Sequence, residues 1–411
     1  MKPPGALTVI VALAAIPAVG TALYLLLLAV ASCFHRPSPA RKIPRHRLAV
    51  LVPAHNEAEM ISRCVASLTR QGYPADLFRV VVIADNCHDA TADLAARAGA
   101  QVLVRIEPEL LGKGHALRWG IARILAEDPT VDALVVVDAD SIAESHFLAE
   151  LGARLAAGYQ VVQADDLVLP EPGSLRSVLE ATALLLRNRV RFAGRAVLRL
   201  PAMLCGNGML ISRAVLVAHP WNAFTVTEDG EYSIALRVAG VRIAFAQNAR
   251  VLAASTSGGR GAYTQGLRWE AGRFQMLQRW FWPLLRAMIA GRRLGLIELF
   301  YDLAVLPLGM VTVVSVLGTS LSLALFAAHL VAFWGVLPWA VALISLPLYI
   351  VIGLRGAHAP ASFYRALFLA PAFMARKLRI WTRLLGGRGA GAWVRTERPA
   401  ESRDDIGLEA S

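Results

Sequence analysis

The stretch LVVVDADSIAESHFL, residues 134–148, joins a strand-like apolar run to two closely spaced acids. The run is typical of a buried strand, and it ends at Asp138 and Asp140. Two carboxylates one residue apart are costly to bury unless a positive charge lies beside them. We therefore predict a divalent cation bound together with a diphosphate, because Mg²⁺ favours one or two carboxylates plus phosphate oxygens. The alternative interpretation is a solvated turn in which an aspartate caps the next helix.

The surrounding sequence predicts a soluble α/β domain that begins near Leu48. Short β-branched runs end in polar residues and alternate with alanine-rich helical stretches. This order predicts a mostly parallel sheet with helices on both faces. The predicted strands cover residues 48–54, 79–86, 100–105, 133–140, 205–212 and 240–247, and the predicted helices cover 57–70, a segment after Asp89, 113–126 and a segment from Thr227.

Polar side chains follow three of these predicted strands at the point where each strand ends. They are residues 55–57, residues 85–86 and the pair Asp138 and Asp140. Ligands of parallel α/β sheets bind beyond the carboxyl ends of the strands. The three clusters are therefore predicted to converge on one edge of the sheet.

Two long segments have the composition of membrane spans. Residues 6–34 carry no charge, and residues 303–354 carry none apart from His329. Since a span needs about 20 apolar residues, the first segment predicts one span and the second predicts two. Basic clusters follow both segments, and this pattern predicts an uncleaved anchor with the α/β domain in the cytoplasm. The same pattern explains the net charge of +12 without nucleic-acid binding.

The predicted organisation has six parts. They are an anchor (1–35), a basic linker (36–47), the α/β domain (48–262), a basic and aromatic interfacial segment (263–302), two spans (303–354), and a basic interfacial helix with a cytoplasmic tail (355–411).

A second acidic cluster lies in VTEDGEYS, residues 226–233. It contains Glu228, Asp229 and Glu231, and one of these carboxylates is a candidate general base. The alternative is structural, because acids are common in a first helical turn and Thr227 could cap the helix.

Two further motifs carry groups suited to phosphates and sugars. LLGKGHAL, residues 110–117, places Lys113 before a predicted helix, where an anion could bind. YTQGLRWEAGR, residues 263–273, places Gln265 and Arg268 on one helix face, followed by Trp269. Arginine binds phosphate with paired donors, and tryptophan offers a flat face for a sugar ring. The alternative for the second motif is an interfacial helix with a buried tryptophan.

Taken in order, seven short motifs resemble those of family 2 glycosyltransferases. More narrowly, they resemble the membrane-embedded branch that includes cellulose, chitin, hyaluronan and poly-N-acetylglucosamine synthases. The resemblance covers residues 48–285, and the motifs are VPAHNE, IADNCHDAT, GKGHAL, VVVDAD, CGNGMLIS, TEDGEYS and QGLRW.

The resemblance implies a GT-A fold, a nucleotide-diphosphate sugar donor and a Mg²⁺ or Mn²⁺ cofactor. It implies that Asp229 is the catalytic base and that Asp140 ligates the metal. The substrate-binding residues that it implies are Glu57, Asp85, Lys113, Asp138, Glu228, Gln265, Arg268 and Trp269. Glu57 and Asp85 would contact the nucleoside, and Lys113 and Asp138 the nucleotide or diphosphate.

We therefore expect an inverting transferase that extends a polysaccharide from a UDP-sugar at the cytoplasmic face of the plasma membrane. One alternative is a single-addition enzyme that acts on a lipid-linked acceptor, and another is a membrane scaffold or transporter subunit without turnover. Three predicted spans are fewer than in cellulose-synthase-type enzymes, so export would need a homo-oligomer or an accessory subunit.

Overall fold

The computed structural model describes residues 5–37, 45–254, 259–291, 294–305, 307–375 and residue 378. Its centre is one mixed sheet, in the order β3-β2-β1-β4-β7-β6-β8-β5. The strands are β1 (Leu48–Ala54), β2 (Phe78–Asp85), β3 (Gln101–Arg105), β4 (Ala133–Val136), β5 (Ser141–Ala143), β6 (Val161–Leu169), β7 (Met209–Ser212) and β8 (Ile243–Ala254).

Most of these strands run in one direction. β1, β2, β3 and β4 pair in parallel, as do β6 and β8, whereas β7 and β5 are antiparallel to their neighbours. The predicted mostly parallel sheet is confirmed. All six predicted strands are present, β1 with the predicted bounds and the other five with shifted ends. β5 and β6 were not predicted, because β5 is very short and β6 contains the consecutive acids Asp165 and Asp166.

Helices cover both faces of the sheet and form a separate apolar bundle. In chain order they are α1 (Ala6–Ala14), α2 (Ile16–Ser32), α3 (Ile61–Thr69), α4 (Thr91–Arg97), α5 (Lys113–Glu127), α6 (Phe147–Ala156), α7 (Leu175–Leu185), α8 (Arg191–Val197), α9 (Arg213–Ala218), α10 (Glu228–Val238), α11 (Gly259–Gly291), α12 (Ile297–Ala304), α13 (Leu308–Ala327), α14 (Phe333–Gly356) and α15 (Ala361–Ala366). A π-helical turn, Leu186–Val190, connects α7 to α8.

The core of the α/β domain has two halves, one on each face of the sheet. Alternate residues of β1 point to opposite faces, so Val50 and Val52 join one apolar cluster and Leu51 joins the other. Burial on both faces explains why β1 reads as a continuous apolar run. Gly120 of α5 allows this helix to approach the sheet closely, since a Cβ atom there would lie 2.3 Å from Cδ1 of Ile83.

Two helices, α13 and α14, are long and apolar enough to cross a membrane, and α1 with α2 would make a third span. The first apolar segment, predicted to form one span, consists of the two helices α1 and α2, which meet at a bend of 41°. Pro17 lies in the first turn of α2, where its missing N–H favours a new helix start. The apolar helix Ala361–Ala375 is too short to span. The predicted interfacial segment 376–385 lies, apart from residue 378, outside the described residues.

A buried ionic network connects the α/β domain to the helical bundle. Arg195 of α8 pairs with Glu298 and, at 3.1 Å, with Asp302, both on α12. The same guanidinium donates to the hydroxyl oxygen of Tyr24 on α2 at 2.9 Å. Glu298 also pairs with Arg237 on α10. One cluster of charges therefore holds α10, whose first residues are Glu228 and Asp229, against the N-terminal helices.

Candidate active site

The ends of β1 and β2 lie side by side and turn sharply into polar loops. The two strands pair in parallel up to Ala54 and Ala84. Asn56 and Asn86 then adopt left-handed backbone conformations, with φ of 55° and 49°, and asparagine tolerates this region better than most residues. A ring nitrogen of His55 lies 2.7 Å from the carbonyl oxygen of Asp85, which joins the two loops.

Asp85 is buried at this edge and is held by a basic side chain that sequence analysis did not identify. Arg105, at the end of β3, pairs with its carboxylate at 2.5 Å, and Asn86 donates to the same oxygen at 3.0 Å. Burial raises the pKa of Asp85, and the Arg105 guanidinium opposes that rise. Arg105 also pairs with Glu107 at 2.9 Å. The sequence feature that could have identified Arg105 is its position as a charged residue at the end of an apolar strand.

Lys113 is the positive partner of Asp138. The ammonium group donates to the Asp138 carboxylate and, at 2.7 Å, to the carbonyl oxygen of Gly206. It lies 4.0 Å from Oε1 of Glu228. The pKa of Asp138 is raised, because burial outweighs the opposing charge of Lys113. The pKa of Lys113 is also raised, because the negative charge of Asp138 and its neighbours outweighs the effect of burial. The charge that we predicted to come from a metal is thus supplied, for Asp138, by the protein itself.

Asp229, near the start of α10, also lies beside Gly206 and Lys113. Gly206 has φ of +84°, and a Cβ atom there would lie 3.3 Å from both Oδ2 of Asp229 and Nζ of Lys113. The other carboxylate oxygen of Asp229 accepts the backbone N–H of Gly230 at 2.7 Å. Glu228 beside it has a pKa raised to about 8, chiefly by burial and then by the negative charge of Asp229.

Asp166 and Asn207 belong to this site, although sequence analysis did not select them. The Asn207 amide donates to Asp166 at 2.9 Å and to the hydroxyl of Ser141 at 3.0 Å, and its oxygen accepts the N–H of Asp138 at 3.1 Å. The pKa of Asp166 lies well above its usual range because of burial and the nearby charge of Asp138. The sequence feature that could have identified Asp166 is the pair of consecutive acids, Asp165 and Asp166, in an apolar strand.

The carboxylates fit a divalent ion that a diphosphate helps to hold. In the described part of the chain, no group of three or more His, Cys, Asp or Glu side chains is arranged to hold a metal alone. Mg²⁺ and similar ions need only one or two carboxylates when phosphates complete the shell. The charges of Asp138 and Asp140 both raise the pKa of Asp166, which shows a local excess of negative charge. A divalent cation at Asp140 would offset it.

Two predictions about the helices around Asp229 have different outcomes. The side chains of Gln265, Arg268 and Trp269 lie outside the described part of the structure, although the backbone of α11 is helical there. The alternative in which the Thr227 side chain caps α10 is not found, because its hydroxyl makes no capping bond. Its side chain instead packs against α11, where a Cβ atom on Gly272 would lie 2.4 Å from Cγ2 of Thr227.

The mostly parallel sheet, with acids and a lysine at the carboxyl ends of its strands, is a GT-A-like α/β fold. Residues 44–272 match the family described as Glycosyltransferase like family 2, and the chain belongs to this family. The predicted family and fold class are therefore confirmed.

Curated relatives share parts of this chain. Probable glycosyltransferase YdaM of Bacillus subtilis is 30% identical over 118 residues, covering 25% of this chain and 27% of that protein. An uncharacterized glycosyltransferase of Mycobacterium bovis, Mb0553, is 35% identical over 113 residues, covering 28% and 45%. The beta-monoglucosyldiacylglycerol synthase of Synechocystis is 23% identical over 277 residues, covering 65% and 56%. The chain thus spans from about a quarter to just over half the length of these relatives.

Solved structures with a similar fold include two nucleotide complexes. Mannosyltransferase PcManGT of Pyrobaculum calidifontis, with GDP-Man and Mn²⁺, has a TM-score of 0.48 at 16% identity, covering 84% of this chain and 98% of that one. Glucosyl-3-phosphoglycerate synthase of Mycobacterium tuberculosis, with Mn²⁺, UDP and phosphoglyceric acid, has a TM-score of 0.40 at 24% identity, covering 60% and 84%.

Proposed function

We propose that this protein transfers a sugar, with inversion, from a nucleotide-diphosphate sugar to an acceptor at the cytoplasmic face of the plasma membrane. A UDP-sugar is the proposed donor. The observation that carries the proposal is the meeting of Lys113, Asp138 and Asp229 around Gly206. These groups come from three separate elements and lie at the edge where α/β sheets bind ligands.

The donor would lie along the ends of β1, β2 and β4. Glu57 and Asp85 are proposed to contact the nucleoside, and the pairing of Asp85 with Arg105 would keep the Asp85 carboxylate oriented. Lys113 and Asp138 would contact the nucleotide and its diphosphate. Lys113 lies between Asp138 and Glu228, so its ammonium group could pair with a phosphate while it keeps its contacts with both acids.

Asp140 is the proposed metal ligand, and its negative charge contributes to the raised pKa of Asp166. The bound Mg²⁺ or Mn²⁺ would supply positive charge to the leaving diphosphate. Gln265, Arg268 and Trp269 are proposed to hold the diphosphate and the acceptor end. The contacts of Gly272 with Thr227 support this role, because they place the helix that carries these residues beside the start of α10.

Asp229 is the proposed general base. One of its oxygens is held by the Gly230 N–H, and the other faces the space beside Gly206 and Lys113. Burial and the neighbouring charge raise the pKa of Glu228 to about 8, which makes Glu228 poorly suited to accept a proton at neutral pH, so Asp229 is the proposed base. A single base suits direct displacement of the diphosphate, which inverts the anomeric carbon.

Two acceptors have support. A growing polysaccharide is supported by the Gln-x-x-Arg-Trp motif at residues 265–269. A lipid acceptor that receives a single sugar is supported by the similarity to a beta-monoglucosyldiacylglycerol synthase over 65% of this chain. At most three helices of the described part could span a membrane. We favour the lipid acceptor, because transfer at the membrane surface does not require the chain to build an export channel.

The direct test is to incubate the purified full-length chain with a panel of UDP-sugars, Mg²⁺ or Mn²⁺ and membrane lipid, and to measure product masses. A lipid that gains one sugar supports the favoured acceptor, and a ladder of long oligomers supports the polysaccharide. If no sugar is transferred from any donor to either acceptor, with or without Mg²⁺ or Mn²⁺, the result would support the non-catalytic alternative instead.

A further inference from the structure

A cavity of about 180 Å³ lies away from the proposed active site, at the opposite ends of the strands. It opens beside the first residues of β8 and just before β6. In contrast, Asp138 follows the end of β4, and Asp85 is the last residue of β2. Because β4, β6 and β8 run in the same direction, these are opposite edges of the sheet. Its polar lining consists of His35, Arg36, Arg154, Tyr159 and Arg242.

The charge of this cavity is positive and uncompensated. Across the described residues, Arg36, Arg154 and Arg242 form no ion pair with a carboxylate, and the residues that line the cavity include no acid. Among the residues that the structure describes, Arg242 donates to the carbonyl oxygen of Arg199, at 2.9 Å, and Arg36 donates to nearby carbonyl oxygens. In contrast, the neighbouring Arg195 is paired with two acids. Three cations around one cavity repel one another, and a bound anion would relieve that repulsion.

A buried polar atom also faces this region without a partner. Nε2 of His35 is buried and has no hydrogen-bond partner among the described residues. The ring lies beside Phe245, with centroids 6.3 Å apart. Burial, together with the positive charge of Arg154, lowers the pKa of His35. A neutral histidine can still donate one N–H to an anion, and such a bond would satisfy the orphaned nitrogen.

The cavity lies at the level where the apolar helices end. α2 ends at Ser32 and α14 ends at Gly356. These ends are side by side, since a Cβ atom on Gly356 would lie 2.9 Å from Sγ of Cys33. His35 and Arg36 therefore follow directly after the level at which two apolar helices leave the proposed bilayer. Lipid headgroups occupy this level.

We propose that this cavity binds the phosphate of an anionic lipid headgroup, with Arg36, Arg154, Arg242 and His35 as its donors. Its volume equals roughly six water molecules, enough for a phosphate with its ester oxygens. Arginine is well suited to the task, because its guanidinium binds phosphate with paired hydrogen bonds. The site would fix the orientation of the α/β domain against the bilayer.

The test is native mass spectrometry of the full-length chain in detergent, titrated with phosphatidylglycerol or phosphatidylcholine. The wild type should bind phosphatidylglycerol more tightly than phosphatidylcholine. Arg154→Gln combined with Arg242→Gln should weaken binding of phosphatidylglycerol about tenfold or more. The matched control removes two exposed arginines elsewhere, Arg63→Gln with Arg97→Gln, and should bind as the wild type does. Equal affinity in the two double variants would overturn the proposal.

Two further arms make the result decisive. Displacement of phosphatidylglycerol by inorganic phosphate at similar concentration would show a soluble-anion site and overturn the lipid assignment. If the double variant does not fold, Arg36→Gln decides, because Arg36 is exposed: an unchanged affinity for phosphatidylglycerol overturns the proposal, and a weaker affinity supports it. Titration with UDP separates this site from the active site, since UDP binding should be equal in all variants.

Discussion

Lys113, the first residue of α5, is hydrogen-bonded to the carboxylate of Asp138, which follows the last residue of β4. The two residues are 25 positions apart in the chain. Their contact gives one of the two closely spaced acids a permanent positive partner, so the site does not depend on a metal for both. It also places an ammonium group where a diphosphate would arrive, beside Gly206 and Glu228.

Replacing Lys113 with methionine tests this contact. The variant should bind UDP roughly ten- to a hundredfold more weakly, because a charge-assisted hydrogen bond to phosphate is lost and Asp138 is left without its cation. Isothermal titration with UDP measures the change. Arg118→Met, on the same helix, is the control: its guanidinium lies 5.5 Å from the ring centre of Phe224, so donor affinity should stay unchanged. Equal affinities would remove Lys113 from the donor site.

Asp229→Asn should abolish transfer and leave donor binding nearly intact. Loss of a general base typically lowers the rate by about 10²–10⁴-fold, and the amide preserves the size of the side chain. A radiolabelled transfer assay, with titration of the donor, separates the two effects. Glu231→Gln is the matched control, because Glu231 pairs with Arg279 at 2.6 Å and should keep most of the activity. Full activity in Asp229→Asn would rule out Asp229 as the base.

Asp140→Ala should lose metal-dependent binding of the donor. The variant removes the proposed ligand of the metal, so Mn²⁺ should no longer increase the affinity for UDP. Titration of UDP with and without Mn²⁺ gives the measurement. Asp132→Ala is the control, since Asp132 precedes β4 at its other end and accepts the N–H of Arg47 at 2.7 Å. A normal response to Mn²⁺ in Asp140→Ala would place the metal elsewhere.

Glu228 should make the stability of the protein depend on pH. Its pKa is raised to about 8 in the folded chain, so the folded state keeps a proton that the unfolded state loses at lower pH. The stability that this proton contributes is fully present below the ordinary glutamate pKa and is lost as the pH rises through about 8. Thermal unfolding of wild type and Glu228→Gln should therefore diverge with rising pH, with the glutamine variant the more stable at high pH.

Two controls sharpen this measurement. Asp229→Asn removes a negative charge that raises the pKa of Glu228, so the loss of stability should move to lower pH. Glu127→Gln changes an exposed acid paired with Arg123 at 2.7 Å, and its unfolding should follow the wild type at every pH. Parallel curves for wild type and Glu228→Gln would show that Glu228 does not keep its proton.

Gly206→Ala should remove activity, whereas Gly158→Ala should not. Both glycines have positive φ, at +84° and +91°, so alanine should destabilise each variant by about 1–2 kcal/mol. Only at Gly206 would the new Cβ atom crowd Asp229 and Lys113, while at Gly158 nothing lies within 4 Å. Unfolding temperatures and transfer rates give the comparison. Equal activity in the two variants would show that the space beside Gly206 is not used by substrate.

Much of the site could be predicted from local sequence, because its acids come directly after strands. The ends of apolar runs identified Asp85, Asp138 and Asp140, and helix-start patterns identified Lys113 and Asp229. Asp166 and Asn207 were missed, since nothing in their local pattern relates them to Asp138. Arg105 was missed for the same reason, because its partner Asp85 lies 20 residues away.

The sequence alone determined the parallel α/β sheet, the long apolar helices and the family, because strand and helix periodicities and short motifs are properties of neighbouring residues. Only the tertiary structure decided which charges meet. It paired Lys113 with Asp138, brought Asn207 to Asp166, and gathered three arginines beside His35 with no acid among the described residues that line their cavity. The reason is physical: the energy of a charge depends on its distance from other charges and from water, and folding sets those distances between residues far apart in the chain.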